Sequence, residues 1–160
     1  MVGDIIILGR FGQVATATAA IARATGHTVR HLARPDIDLA RPGEIARLLD
    51  PVLQAAPAGS VLVNTAAYTD VNRAESEPDL AHSINALAPG IVAGRCGQAN
   101  IPIIHLSTDY VYDGQKDTPY LEADTCRPLS VYGRTKLAGD EAVLRGASRS
   151  VILRTSAVFS

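Results

Sequence analysis

Short apolar runs recur along this chain, at residues 4–8, 28–33, 61–64, 101–106 and 151–155, and stretches of helical pattern separate them. A run of four to six Val, Ile and Leu residues is too short for a buried helix and suits a strand covered on both faces. Helical connections of this length return the chain to the same end of a sheet, which predicts right-handed βαβ units. The expected fold is therefore α/β: a doubly wound parallel sheet of Rossmann-like type. Aromatic residues make up only 4% of the chain and Trp is absent, so Ala-rich helices must pack on Val/Ile-rich strands.

The first helix is expected over residues 13–25, with Gly26 ending it as a C′ residue. Residues 34–43 carry two prolines and two aspartates and are expected to be irregular. A helix is predicted from Glu44 toward Gln54, with Pro51 a break or kink. A polar stretch, 68–79, precedes a helix over about 80–100 in which Pro89 sets a kink. A loop over 113–130 feeds a helix starting near Val131. Residues 1–160 read as one NAD(P)-binding domain, since a chain of 160 residues has no room for a second of ordinary size.

Composition narrows the function classes. Formal net charge is −1, and no basic block exists to hold a nucleic acid or an anionic membrane surface. No apolar run reaches the ~20 residues that span a bilayer. Residues 1–8 have the apolarity of a signal peptide but lack a basic start and a small-residue cleavage site, so a buried first strand is expected there. Cys96 and Cys126 share no metal or redox spacing and are read as free thiols of a cytoplasmic protein.

Gly9-Arg10-Phe11-Gly12-Gln13-Val14-Ala15 joins the first strand to the first helix. Glycine there lets the backbone turn sharply and approach a pyrophosphate, and the helix N-terminus offers free N–H groups to the phosphates. Ala15 stands where a third glycine is usual. The second strand ends Leu32-Ala33-Arg34 without the acidic residue that holds an NAD ribose, whereas Arg10 and Arg34 suit a 2′-phosphate. NADP(H) is the preferred reading, with NAD(H) allowed.

Tyr132 and Lys136 lie four residues apart on one helix face. A tyrosine titrates near pH ~10, too high for acid–base work at neutrality, and a neighbouring ammonium lowers that value. Ser107 and Thr108 end the fourth apolar run, where open α/β sheets bind their ligands. A hydroxyl there suits a substrate carbonyl that the tyrosine protonates.

The glycine loop, the Tyr–Lys pair and this strand end together resemble the extended short-chain dehydrogenases/reductases. Four blocks resemble their dTDP-4-dehydrorhamnose reductase branch in particular: 63–71 (VNTAAYTDV), 74–78 (AESEP), 107–114 (STDYVYDG) and 132–139 (YGRTKLAG). The resemblance runs from about Ile5 to Ser160. It implies that Gly12, Gln13 and Val14 lie against the cofactor pyrophosphate, Asp38 and Leu39 on its adenine side, and Ala66, Ala67 and Tyr68 along its cleft. It implies a catalytic set of Thr108, Tyr132, Lys136 and Asn85, with Asp109 touching the sugar. Hydride would pass from NADPH or NADH to the 4-keto group of a dTDP-linked deoxysugar, without a metal ion.

The chain departs from that pattern at Ala157, where the family usually has an aromatic ring. It also stops where family members continue into a smaller substrate domain, so the reading is a truncated, cofactor-binding half that does not complete the sugar site alone. Truncation is expected to leave an open sheet edge that promotes association, a homodimer included. The competing readings are a non-catalytic nucleotide-binding regulatory subunit and a nucleotide-sugar epimerase or dehydratase on the same scaffold.

Overall fold

In the computed structural model, which describes residues 3–158, β1 (Ile5–Leu8) leads through α1 (Gln13–Ala24) to β2 (Val29–Leu32). Helix α2 (Pro42–Gln54) carries the chain to β3 (Val61–Asn64). Helices α3 (Val71–Ser76) and α4 (Pro78–His82), a π-helical turn (Ser83–Leu87) and α5 (Ala88–Gln98) then lead to β4 (Ile103–Thr108). A 3-10 turn (Asp109–Val111), an irregular segment and α6 (Val131–Gly146) precede β5 (Ser150–Thr155). The strands pair in parallel, in the order β2-β1-β3-β4-β5. This is the doubly wound sheet expected from the alternation of strand and helix.

The two faces of β1 show how the layers form. Ile7 packs with Ala15 and Ala19 of α1 on one side. Ile6 and Leu8 join the main core on the other, with Ile45, Leu49 and Leu53 of α2, Val92 and Ala93 of α5, and Val143 of α6. Residues 45, 49 and 53 recur at helical spacing, so α2 buries one stripe and leaves the other wet. Gly26 takes a positive φ of 82° just past α1, the left-handed turn expected of its C′ position.

Several expectations are corrected. Pro51 does not break α2, because it sits on the exposed side, where water satisfies the carbonyl that a proline cannot reach. The helix expected over 80–100 starts earlier, at Pro78, and is interrupted by the π-helical turn. Pro89 is the second residue after that turn and cannot donate to the carbonyl of Asn85, four residues back. The extra residue in the turn absorbs the mismatch. The polar stretch before it contains α3, whose first turn is capped by Asp70 accepting from the Arg73 amide at 2.9 Å. Strand β4 begins at Ile103, after Pro102, and runs on to Thr108.

Cys96 is buried and Cys126 half-buried, both as free thiols. Among the described residues no helix is long and apolar enough to cross a membrane.

Glycines in the helices separate packing from propensity. A Cβ on Gly139 of α6 would lie 2.0 Å from the Asn85 carbonyl oxygen, whereas one on Gly94 of α5 would meet nothing within 4 Å. Gly94→Ala is expected to stabilise the protein by about 0.5–1 kcal/mol, as alanine does in a helix with room for it. Gly139→Ala is expected to destabilise it by about 1–3 kcal/mol through overpacking. Urea unfolding of the two variants checks the opposite signs.

Candidate active site

Strand β1 is paired with β2 on one edge and β3 on the other, and the helices leaving β1 and β2 cover opposite faces. A crevice must open at its carboxyl end. A cleft of about 800 Å³ lies there, lined by Gly9, Arg10, Phe11, Arg34, Asp38, Leu39, Ala66, Ala67 and Tyr68 among others. These nine are residues singled out from the sequence.

Gly9 has a φ of +125°, and a Cβ on it would sit 2.5 Å from the Thr65 hydroxyl oxygen. That hydroxyl donates to the Leu8 carbonyl at 2.9 Å, so it has little freedom to move aside. Gly12 differs: its φ of −71° suits any residue, and a Cβ there meets nothing within 4 Å. The space in front of it is free for a ligand. Gly12, Gln13 and Val14 lie outside the cleft lining, at the first turn of α1, where no side chain caps the amides. Such a terminus suits a phosphate. Arg10 lies 3.7 Å from Asp36, and its guanidinium sits over the exposed Phe11 ring. Asp38 accepts from the Ala40 amide at 3.0 Å and so shapes the turn it belongs to.

The second group gathers at the end of β4. Thr108 accepts from the Tyr110 amide and donates to the Asp109 carboxylate, both at 3.2 Å. The Tyr132 ring meets that of Tyr110 edge-on at 5.5 Å. Burial pushes the Tyr132 phenol above its ordinary value, the Thr108 hydroxyl pulls it back, and Asp109 and Tyr110 raise it further. Lys136 is not among the groups acting on it, which corrects the expectation that its ammonium lowers the phenol.

The reason is where Lys136 points. It is only 2% exposed, with its Nζ donating to the Leu106 carbonyl at 2.6 Å and lying 3.4 Å from His105 Nε2. Burial pushes its ammonium down to about 8, and Asp140 opposes that shift. His105 is held neutral, its value lowered to about 3 by burial and then by the Lys136 charge.

Asn85 is 1% exposed. Its carboxamide accepts from the Tyr68 amide at 2.8 Å, donates to the Tyr68 carbonyl at 3.1 Å and donates to the Thr135 hydroxyl at 3.2 Å. One side chain thus ties the cleft wall to the helix turn that carries Lys136. Ala157 is exposed, with no ring in its place.

Sequence reasoning missed four residues of this region. Asn64 donates to His105 Nδ1 at 2.9 Å, and its own oxygen accepts from the Ala66 amide at 3.2 Å. Asp140 takes the Arg154 guanidinium at 3.2 Å. Asn64 and His105 were visible as polar breaks in apolar strands, and Asp140 as the next turn of the Tyr132–Lys136 face.

A doubly wound parallel sheet with a phosphate-ready helix end at its switch point defines a Rossmann-like α/β protein. The chain belongs to the RmlD substrate binding domain family, which it matches over residues 3–160. It is 39% identical to the dTDP-4-dehydrorhamnose reductase of Mycolicibacterium smegmatis over 99% of this chain and 47% of that protein. It is 43% identical to that of Sinorhizobium fredii over 96% of this chain and 50% of the relative. The crystal structure of dTDP-4-dehydrorhamnose reductase from Bacillus anthracis in complex with NADP superposes with a TM-score of 0.87. It shares 28% identity, over 98% of this chain and 54% of that one. The chain therefore spans about half the length of the relatives it matches.

The buried histidine carries a signature in acid. Folded His105 titrates near 3 against an ordinary 6.5, so below pH 6.5 the unfolded chain binds a proton that the folded one refuses. Stability contributed by the neutral ring is complete above pH 6.5 and falls as pH drops toward 3. The slope is up to about 1.4 kcal/mol per pH unit for one proton. Denaturant titrations between pH 7 and 4 are expected to show a shallower fall in His105→Gln than in the wild type.

Proposed function

We propose that this chain is the NADP(H)-binding, proton-delivering portion of a dTDP-4-dehydrorhamnose reductase, acting in the cytoplasm on a nucleotide-linked 4-keto sugar. One observation carries the reading: Asn85 bridges the nucleotide cleft at Tyr68 to the Thr135–Lys136 turn of α6. That bridge supports reading the cleft and the hydroxyl cluster as parts of one site. Membership of the RmlD family and the similarity to reductases, one of them solved with NADP, support the same reading.

The residues present fit a dinucleotide. Gly9 must be glycine, Gly12 leaves open space, and the first turn of α1 offers uncapped amides beside a cleft of about 800 Å³. Gly12, Gln13 and Val14 would lie along the pyrophosphate, with Asp38 and Leu39 toward the adenine. Arg10 and Arg34 would meet a 2′-phosphate, while NAD(H) would leave them without that partner. When bound, the nicotinamide supplies the hydride. Thr108 would hold the ketone oxygen, Tyr132 would give it a proton, and Asp109 would hydrogen-bond the sugar. Lys136 has one close acceptor for three N–H groups, so a ribose hydroxyl at the cleft would find a donor there. Asn85 would keep the two walls in register.

The raised phenol holds its proton at neutral pH, so Tyr132 would begin as the donor, and a value nearer the working pH would speed the transfer. Tyr132→Phe is expected to abolish NADPH oxidation with the keto sugar while leaving NADPH affinity within about twofold of wild type. Retained turnover would overturn the assignment. Arg34→Ala is expected to weaken NADPH binding about tenfold or more, the loss of one charged hydrogen-bonding partner, and to spare NADH. Paired fluorescence titrations with the two nucleotides measure it.

A further inference from the structure

The core beneath β4 contains more charge than proton delivery needs. Lys136, Asp140, His105 and Ser107 are each nearly or fully buried, and Arg154 enters from β5. Two of their oxygens, Asp140 Oδ1 and Ser107 Oγ, lack a partner at ordinary hydrogen-bond distance. A buried carboxylate oxygen left unsatisfied is costly, so a donor must serve it.

Burial raises the Asp140 carboxyl and the Ser107 hydroxyl pulls it back toward the charged form, and the protonation of His105 decides whether a ring N–H faces it as well. Asn64 Oδ1 is committed to the Ala66 amide, which fixes the orientation of the carboxamide and makes Nδ2 the group facing His105 Nδ1. Nδ1 must then be the acceptor, so the neutral ring carries its proton on Nε2. Nε2 lies 3.8 Å from Asp140 Oδ1, the orphaned oxygen. A protonated Nε2 cannot accept from Lys136, although Nζ is 3.4 Å away. The ammonium therefore depends on the Leu106 carbonyl for its close bond and on Asp140, one helical turn further on, for its counter-charge.

We propose that Asp140 is a positioning residue: clamped by Arg154 and lying 3.8 Å from the Nε2 of a His105 whose tautomer Asn64 dictates, it supplies the counter-charge that holds the Lys136 ammonium against the end of β4, where the proposed ribose contact would need it. The chain of contacts runs from the Ala66 amide at the cleft, through Asn64 and His105, to Asp140, Arg154 and the Tyr112 hydroxyl. The charged and titratable groups facing this cluster are His105 from β4, Asp140 from α6, Arg154 from β5, and Tyr112 and Cys126 from the segment between β4 and α6. Asp140 is their central anion. Removing its charge leaves Lys136 and Arg154 as neighbouring buried cations, and the more easily discharged of the two is the lysine.

This inference rests on the nucleotide reading above, and one arm of its test does not. NADPH affinity is measured against pH for wild type, Asp140→Asn and Asp140→Glu, with thermal melts to confirm folding. Wild-type affinity is expected to fall above about pH 8, where Lys136 discharges. In Asp140→Asn that fall is expected to move down by about one pH unit, the effect of losing one nearby opposite charge. Asp140→Glu restores it. An Asp140→Asn profile that matches wild type, with binding intact, overturns the positioning role alone. Absence of NADPH binding by the wild type overturns the reading beneath it. The second arm uses the unliganded wild-type protein: long-range ¹H–¹⁵N correlation spectra of the imidazoles at pH 6, with His105→Gln for assignment. A neutral His105 protonated on Nε2 is expected, and a ring protonated on Nδ1, or a cationic one, overturns the proposal even if Asp140→Asn fails to fold.

Discussion

Strand β1 lies between β2 and β3, and the chain leaves β1 and β2 by helices on opposite faces of the sheet. Parallel strands impose this, because each crossover needs a covering layer and keeps one hand. Where the direction of winding reverses, no helix covers the strand ends, and the cleft at Leu8, Leu32 and Ala66 is the result. Glycine at position 9 follows from the same geometry: the backbone turns there at positive φ, against a threonine already bonded to β1. Everything assigned to the nucleotide hangs on that reversal.

A second constraint links the cleft to the hydroxyl cluster. Polar side chains buried between sheet and helix need partners, and a network of them is stable only when its members satisfy one another. Asn64, Asn85 and His105 meet that demand by reaching across β3, β4, the π-helical turn and α6. The π-helical turn belongs to the same arrangement, since it sets Asn85 between Tyr68 and Thr135 and presses its carbonyl against Gly139. A straight helix over these residues would rotate Asn85 off that line.

The sheet and the glycine loop were legible in the sequence because both are local: apolar runs, their spacing and two glycines carry them. The hydroxyl cluster at Thr108, Asp109 and Tyr132 was legible as a set through family resemblance. What escaped was the direction of Lys136. Helical spacing put it on one face with Tyr132, yet the side chain runs inward to Leu106 and His105. That choice depends on residues of β3, β4 and β5, which are up to dozens of positions away in sequence. The interruption at residues 83–87 was visible only as Pro89, since a proline marks a helical fault without saying whether the helix bends or takes in an extra residue.

The central claim is that the nucleotide cleft and the cluster at the end of β4 form one site. Backbone amide NMR of the ¹⁵N-labelled protein titrated with NADPH tests it most directly. Amides of Gly9, Gly12 to Val14 and Ala66 to Tyr68 are expected to shift together with those of Thr108, Asp109 and Lys136, all along one saturation curve. Shifts confined to the glycine loop, with the β4 and α6 amides unmoved at saturation, would contradict it.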